Sequence, residues 1–136
     1  MAGKSNYLEN KVLDHVLGVA SFTQPAARYV ALFASGSGPG EAGGGTELPT
    51  AAGYARQSVT FGVAVNGVSQ NLGDTDFFAP GGAGAPIGTT TVGHFGIYDA
   101  LTGGNLLYFG DLATPKTITT GDILRIPANG LSVSED

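Results

Sequence analysis

The residues that could do chemistry in this chain are few and scattered. His15 and His94 are its only imidazoles, and neither has a second histidine or a carboxylate at a recognisable ligand spacing. Zinc needs three or four convergent nitrogen, oxygen or sulfur donors. The chain has no cysteine, which removes thiolate ligands, sulfur nucleophiles and disulfides together. Both histidines therefore read as structural, His15 on the polar or boundary side of a helix and His94 alternating with Val92 and Gly96 on a strand. Asp74-Thr75-Asp76 opens like an oxygen-ligand calcium loop, but the glycine and the closing bidentate glutamate do not follow at their positions. Ser37, between Gly36 and Gly38, lacks the strand-to-helix elbow that holds a nucleophile. The run of residues 40–45 ends in Thr46-Glu47 where a phosphate loop requires a lysine. Phe95, Tyr98, Tyr108 and Phe109 could stack on a sugar or a base; large aromatic area on alternating strands is better placed in a core and a subunit interface. The expectation is a protein with no catalytic, cofactor-binding or metal-ligating residues, and not an enzyme.

Composition narrows the partners. At 136 residues the chain fits one domain, long enough to bury a core without cross-links. Its 23 glycines and 7 prolines stop short of low-complexity disorder. The net charge is −5, and the basic residues Lys4, Lys11, Arg28, Arg56, Lys116 and Arg125 are dispersed. Such a surface repels phosphate backbones and anionic lipid, so neither nucleic acid nor membrane is an expected partner. The longest apolar run, Tyr29–Ala34, is far below the roughly 20 residues of a membrane helix. The first residues lead into Glu9, Asn10, Lys11 and Asp14 in place of an apolar h-region, so synthesis and assembly in a cytoplasm are expected.

The elements that must position these residues are mostly strands. Leu8, Val12, Leu13, Val16 and Leu17 repeat at helical spacing, with Asn6 and Glu9 as a capping pair and Gly18 as the stop, predicting an amphipathic helix at about 6–17. It either covers its own sheet or docks on a neighbouring subunit. From residue 28 the period becomes two. Tyr29–Ala34 suits an interior strand. Residues 58–65 alternate cleanly, and Asn66-Gly67 turns the chain back through 68–72. A hairpin at 91–110 pivots on Gly103-Gly104, Thr114-Pro115 breaks the chain, and 116–120, 123–127 and 131–134 read as further strands. Glycine and proline make flexible loops of about 35–50 and 79–88. The predicted fold is mainly β, an antiparallel β-sandwich or jelly-roll-like barrel with one short N-terminal amphipathic helix, forming a single domain over 1–136.

Residues 94–110, followed by Thr114-Pro115-Lys116, together with 5–18, Tyr29-Val30-Ala31-Leu32-Phe33 and Gly53-Tyr54-Ala55-Arg56-Gln57, resemble a family of small tailed-bacteriophage virion proteins. The likeness covers most of the chain, with the long glycine-rich loop as its variable part. Family members are labelled structural, tail-fibre or head-decoration proteins. The resemblance implies a virion component made in the host cytoplasm, without cofactors. A capsid decoration (cement) protein, a homotrimer bound to the major capsid protein on the head surface, fits a sandwich with a docking helix and exposed loops. A tail fibre, tail tip or adaptor involved in host attachment, bound to tail proteins, is the alternative; the absence of a long repetitive stalk favours the first. On either reading the candidate partner contacts are Leu8, Val12 and Val16 of the helix, Gly38, Pro39 and Glu41 of the first loop, and Pro80 and Pro86 of the second.

Overall fold

The apolar runs become strands that wrap one core. The computed structural model describes residues 2–49, 53–78, 90–119 and 122–135. In chain order these hold β1 (Ala2–Lys4), α1 (Asn6–Val16), β2 (Tyr29–Ala34), β3 (Gln57–Ser58), β4 (Val68–Gln70), β5 (Thr75–Phe77), β6 (Thr90–Tyr98), β7 (Leu106–Ile118), β8 (Leu124–Ile126) and β9 (Ser132–Ser134). Seven strands form one sheet in the order β3-β2-β6-β7-β1-β9-β4, and β5 and β8 form a second. The large sheet is open, so the sandwich alternative holds and the closed barrel does not. All pairs are antiparallel except β1 with β9, which meet in parallel at Ala2 and Val133.

The near-continuous apolar sequence of β2 matches its place inside the sheet: Val30, Ala31, Leu32 and Phe33 are all buried. Val30 lies opposite Ile97 and Leu32 opposite Phe95 on β6. The small sheet alternates instead. Thr75, Phe77, Leu124 and Ile126 turn inward, while Asp76 and Arg125 pair on the outer face at 2.7 and 2.9 Å. Phe77, Leu124 and Ile126 share one apolar cluster with Val30, Leu32, Phe95 and Ile97, which makes the two sheets the two layers of a sandwich. Each such side chain contributes about 1.5–3 kcal/mol by leaving water.

One short segment ties the ends of the large sheet together. Ser58 pairs with Tyr29 at one edge, and three residues later Phe61 bridges to Asn71 beside β4 at the other. Three extended residues reach about 10 Å, so the two ends of this sheet lie close to one another along the segment, with Val59 buried on the way.

Three local expectations change. Residues 58–65 carry the cleanest alternation, yet only Ser58 lies in a strand, paired with Tyr29 in β3, and beyond it the segment forms isolated bridges at Phe61 and Val65, where the register with 68–71 slips between Gly62 and Val65. The turn after them is as predicted: Asn66 and Gly67 both have positive φ, 51° and 77°, and Val65 and Val68 exchange both backbone hydrogen bonds. Pro115 does not end a strand. β7 runs through it because the register slips there: His94 faces Asp111 but Val92 faces Lys116, leaving Pro115 in a bulge where no ladder donor is missed. The helix is capped by Ser5, not Asn6. Ser5 Oγ accepts from the Leu8 N–H at 3.2 Å and donates to the Leu106 carbonyl, so one hydroxyl caps α1 and fastens it to β7. At the far end Gly18 takes φ +78° and the Val19 N–H reaches back to the Asp14 carbonyl at 2.8 Å.

Candidate functional site

The densest polar arrangement among the described residues lies where the first loop, the approach to β3 and the β6–β7 turn converge. Glu47 is placed there by its bridge to Phe33 on β2. Arg56 donates Nε and Nη2 to the two Glu47 carboxylate oxygens, both at 2.9 Å, and Nη1 to the carbonyls of Ala100 and Gly103 at 2.9 and 2.8 Å. Its guanidinium carbon lies 3.8 Å from the centre of the Tyr98 ring. Tyr54 donates its hydroxyl to Glu47 at 2.6 Å and accepts from the Leu32 N–H at 3.1 Å.

Burial drives the Tyr54 hydroxyl far above its ordinary range, and its hydrogen bond to Glu47 adds to this. Burial also pushes the Glu47 carboxyl up, but hydrogen bonds from Arg56 and Tyr54 and the Arg56 charge outweigh it and hold that carboxyl below the usual carboxylate range. The carboxylate, guanidinium and phenol are thus engaged with one another and with backbone. The cluster is built as a clamp that fixes the β6–β7 turn to the rest of the sandwich. Asp99 completes the turn by accepting from the backbone and side-chain N–H groups of Asn105 at 2.7 and 2.9 Å.

Both histidines accept a hydrogen bond from the backbone. His15 Nδ1 accepts from the Phe22 N–H at 3.0 Å and holds the chain after the helix. His94 Nε2 accepts from the Gly36 N–H at 3.2 Å, while Nδ1 lies 2.6 Å from Asp111. With Nε2 accepting, Nδ1 carries the proton toward Asp111.

The candidate contacts fall into three environments. Leu8 is buried in the domain's own core, Val12 is packed partly against it, and Val16 is 72% exposed. Gly38 and Pro39 line a cleft of about 340 Å³ with His94, Phe109 and Asp111. Gly38 is required there, since a Cβ would come within 2.5 Å of the imidazole. Glu41 lines a second cleft of about 480 Å³ with Ser5, Tyr7, Tyr98 and Asn105, and its carbonyl accepts from the Asn6 N–H at 2.8 Å. The helix start and the first loop therefore meet, whereas Val16 stands at the other end of α1. Pro80 and Pro86 lie outside the described residues. The first loop itself is hydrogen bonded, from Thr46 N–H to Ser37 at 2.8 Å and reciprocally between Gly40 and Gly43.

The clamp is the feature that residue spacing missed. Glu47 sits in loop composition and Arg56 reads as a lone cation; the only signal was that Tyr54-Ala55-Arg56 sits among the motifs that carry the virion-protein resemblance.

The family described as Podophage GP4 fiber I protein gp80 matches the chain over residues 3–134. The chain belongs to that family. The match takes in the helix, the clamp, both sheets and the β6–β7 hairpin, and membership makes the chain a small tailed-phage virion structural protein. No curated protein matches it.

Proposed function

We propose that this chain is a non-enzymatic structural subunit of the tail-fibre apparatus, acting through binding surfaces held on a rigid sandwich. The observation that carries the reading is the family match over residues 3–134, described as a fibre protein. The architecture supports it: the Arg56 clamp and the buried β2–β6–β7 core spend their polar and apolar groups on rigidity, and the exposed helix end, first loop and hairpin tips remain for partners. Its partners on this reading are other tail proteins and further copies of itself. Its contribution to the virion is mass action, binding the assembled state in preference to free subunits.

Antibody-gold labelling of intact virions, viewed by electron microscopy, tests the location. Label confined to the tail is expected. Label spread over the head would replace the fibre reading with capsid decoration.

A further inference from the structure

Residues 36–46 of the first loop are bonded into a small arm of their own. The Thr46 N–H reaches the Ser37 carbonyl at 2.8 Å, the Ser37 and Thr46 hydroxyls meet at 2.8 Å, and Gly40 and Gly43 exchange both backbone hydrogen bonds around Glu41-Ala42. The arm therefore keeps its shape without the sheet beside it. Its neck joins Ala34 of β2 through the Ser37 N–H and the Thr46 carbonyl, both at 3.0 Å. Beyond that neck, its hydrogen bonds to the rest of the described residues are two. At the tip the Glu41 carbonyl accepts from the Asn6 N–H, and at the base the Gly36 N–H donates to His94 Nε2 at 3.2 Å.

The two nitrogens of His94 answer to different elements. Nδ1 donates to Asp111 of β7 at 2.6 Å, and Nε2 gives its lone pair to the arm. A second proton on this ring goes to Nε2. The bond to Asp111 then survives and becomes charge-assisted, whereas the bond from Gly36 is lost, because two N–H groups face each other. Other charges do not interfere. Among the described residues lining the cleft around the ring, only His94 and Asp111 titrate; β1 and the arm bring glycines and Pro39. In the ladder β2 sets Phe33 opposite His94, and the β7 cation Lys116 stands opposite Val92. Glu41, the arm's one charge, lines the other cleft.

We propose that His94 is a pH-operated latch: the neutral ring holds the base of the 36–46 arm on β6, and mild acid releases the arm while Asp111 keeps the ring on β7. Histidine is the side chain that ordinarily changes charge between about pH 5 and 8. The Glu47–Arg56 clamp, its carboxyl held below the usual range, stays charged over that span, so the release is local. An unlatched arm is tied only at neck and tip, and the cleft beneath Gly38 and Pro39 opens. Any contact made through those two residues then depends on pH. The latch works alike at either virion location.

Amide hydrogen exchange of the full chain, followed by NMR from about pH 7.5 to about pH 5 and expressed as protection relative to each amide's intrinsic rate, tests the latch, with the His94 ring protons titrated in the same samples. As the ring titrates, protection at Gly36 is expected to fall roughly tenfold or more. Leu48, whose N–H bonds to the Leu32 carbonyl, is expected to keep its protection. His94→Gln, which stays neutral and offers an oxygen to Gly36, is expected to show no such fall. Gly36 protection that stays constant while the ring titrates overturns the proposal, as does a ring that does not titrate in this range. A fall that Leu48 shares overturns it too, and these readouts need only the wild-type chain. An equal fall in His94→Gln has the same consequence.

Discussion

Arg56 is the residue whose loss should be felt most widely, because one guanidinium holds Glu47, two turn carbonyls and the face of Tyr98. Arg56→Ala leaves a partly buried carboxylate and two carbonyls unpaired. It is expected to cost about 2–4 kcal/mol, measured as a drop in urea midpoint with unchanged slope. Arg56→Lys should recover only part of this, since an ammonium cannot reproduce the two-pronged contact with Glu47. His94 works at the same scale: one ring nitrogen satisfies the Gly36 N–H and the other meets Asp111 on β7, so the ring ties the first loop to the β6–β7 pair.

At the scale of elements, α1 and the β6–β7 hairpin give the sharpest tests. Ser5→Ala removes both the helix cap and the hydroxyl's bond to Leu106 on β7, leaving the Ser5 N–H bond to the Leu107 carbonyl, and is expected to destabilise the fold by about 1–2 kcal/mol, with loss of helical circular dichroism preceding the main transition on heating. In the hairpin, Gly103 and Gly104 both have positive φ, 61° and 75°, but a Cβ on Gly103 meets open space and one on Gly104 falls 2.6 Å from Ala100 and Asp99. Gly104→Ala should therefore cost clearly more than Gly103→Ala, about 1–3 kcal/mol against about 1, read from thermal melts of the two variants. Equal losses would mean that φ alone matters and the close approach does not. The pair was legible as a turn in the sequence; that one glycine is needed for space and the other only for angle was not.

For the whole molecule, acid is the informative variable. Glu47 and Glu135 are each pushed up by burial and pulled below their ordinary range by hydrogen bonds and charge from Arg56 and Tyr54, and from Lys4 and Tyr108; Asp76 is lowered by its hydrogen bonds from Arg125. Groups depressed in the fold stabilise it fully above their unfolded values, and that stability is lost as pH falls through the folded ones. Urea stability should hold from neutral pH to about 5 and then decline steadily below about 4, with a shallower decline in Glu47→Gln, which lacks one of the three groups.

The sequence by itself determined the β class, the early helix and the Asn66-Gly67 and Gly103-Gly104 turns, because these depend on local φ preference and on apolar period. It could not reveal that residues 58–61 link the two ends of the large sheet, that Pro115 rests in a bulge or that Ser5 caps the helix. Each of these depends on which backbone groups are already taken by strands distant in sequence. The clamp is the same case: Glu47 and Arg56 become a pair only when β2, β3 and the β6–β7 turn bring them together. Burial then decides whether a charge is a solvated ornament or a structural bond, and burial is a property of the tertiary structure.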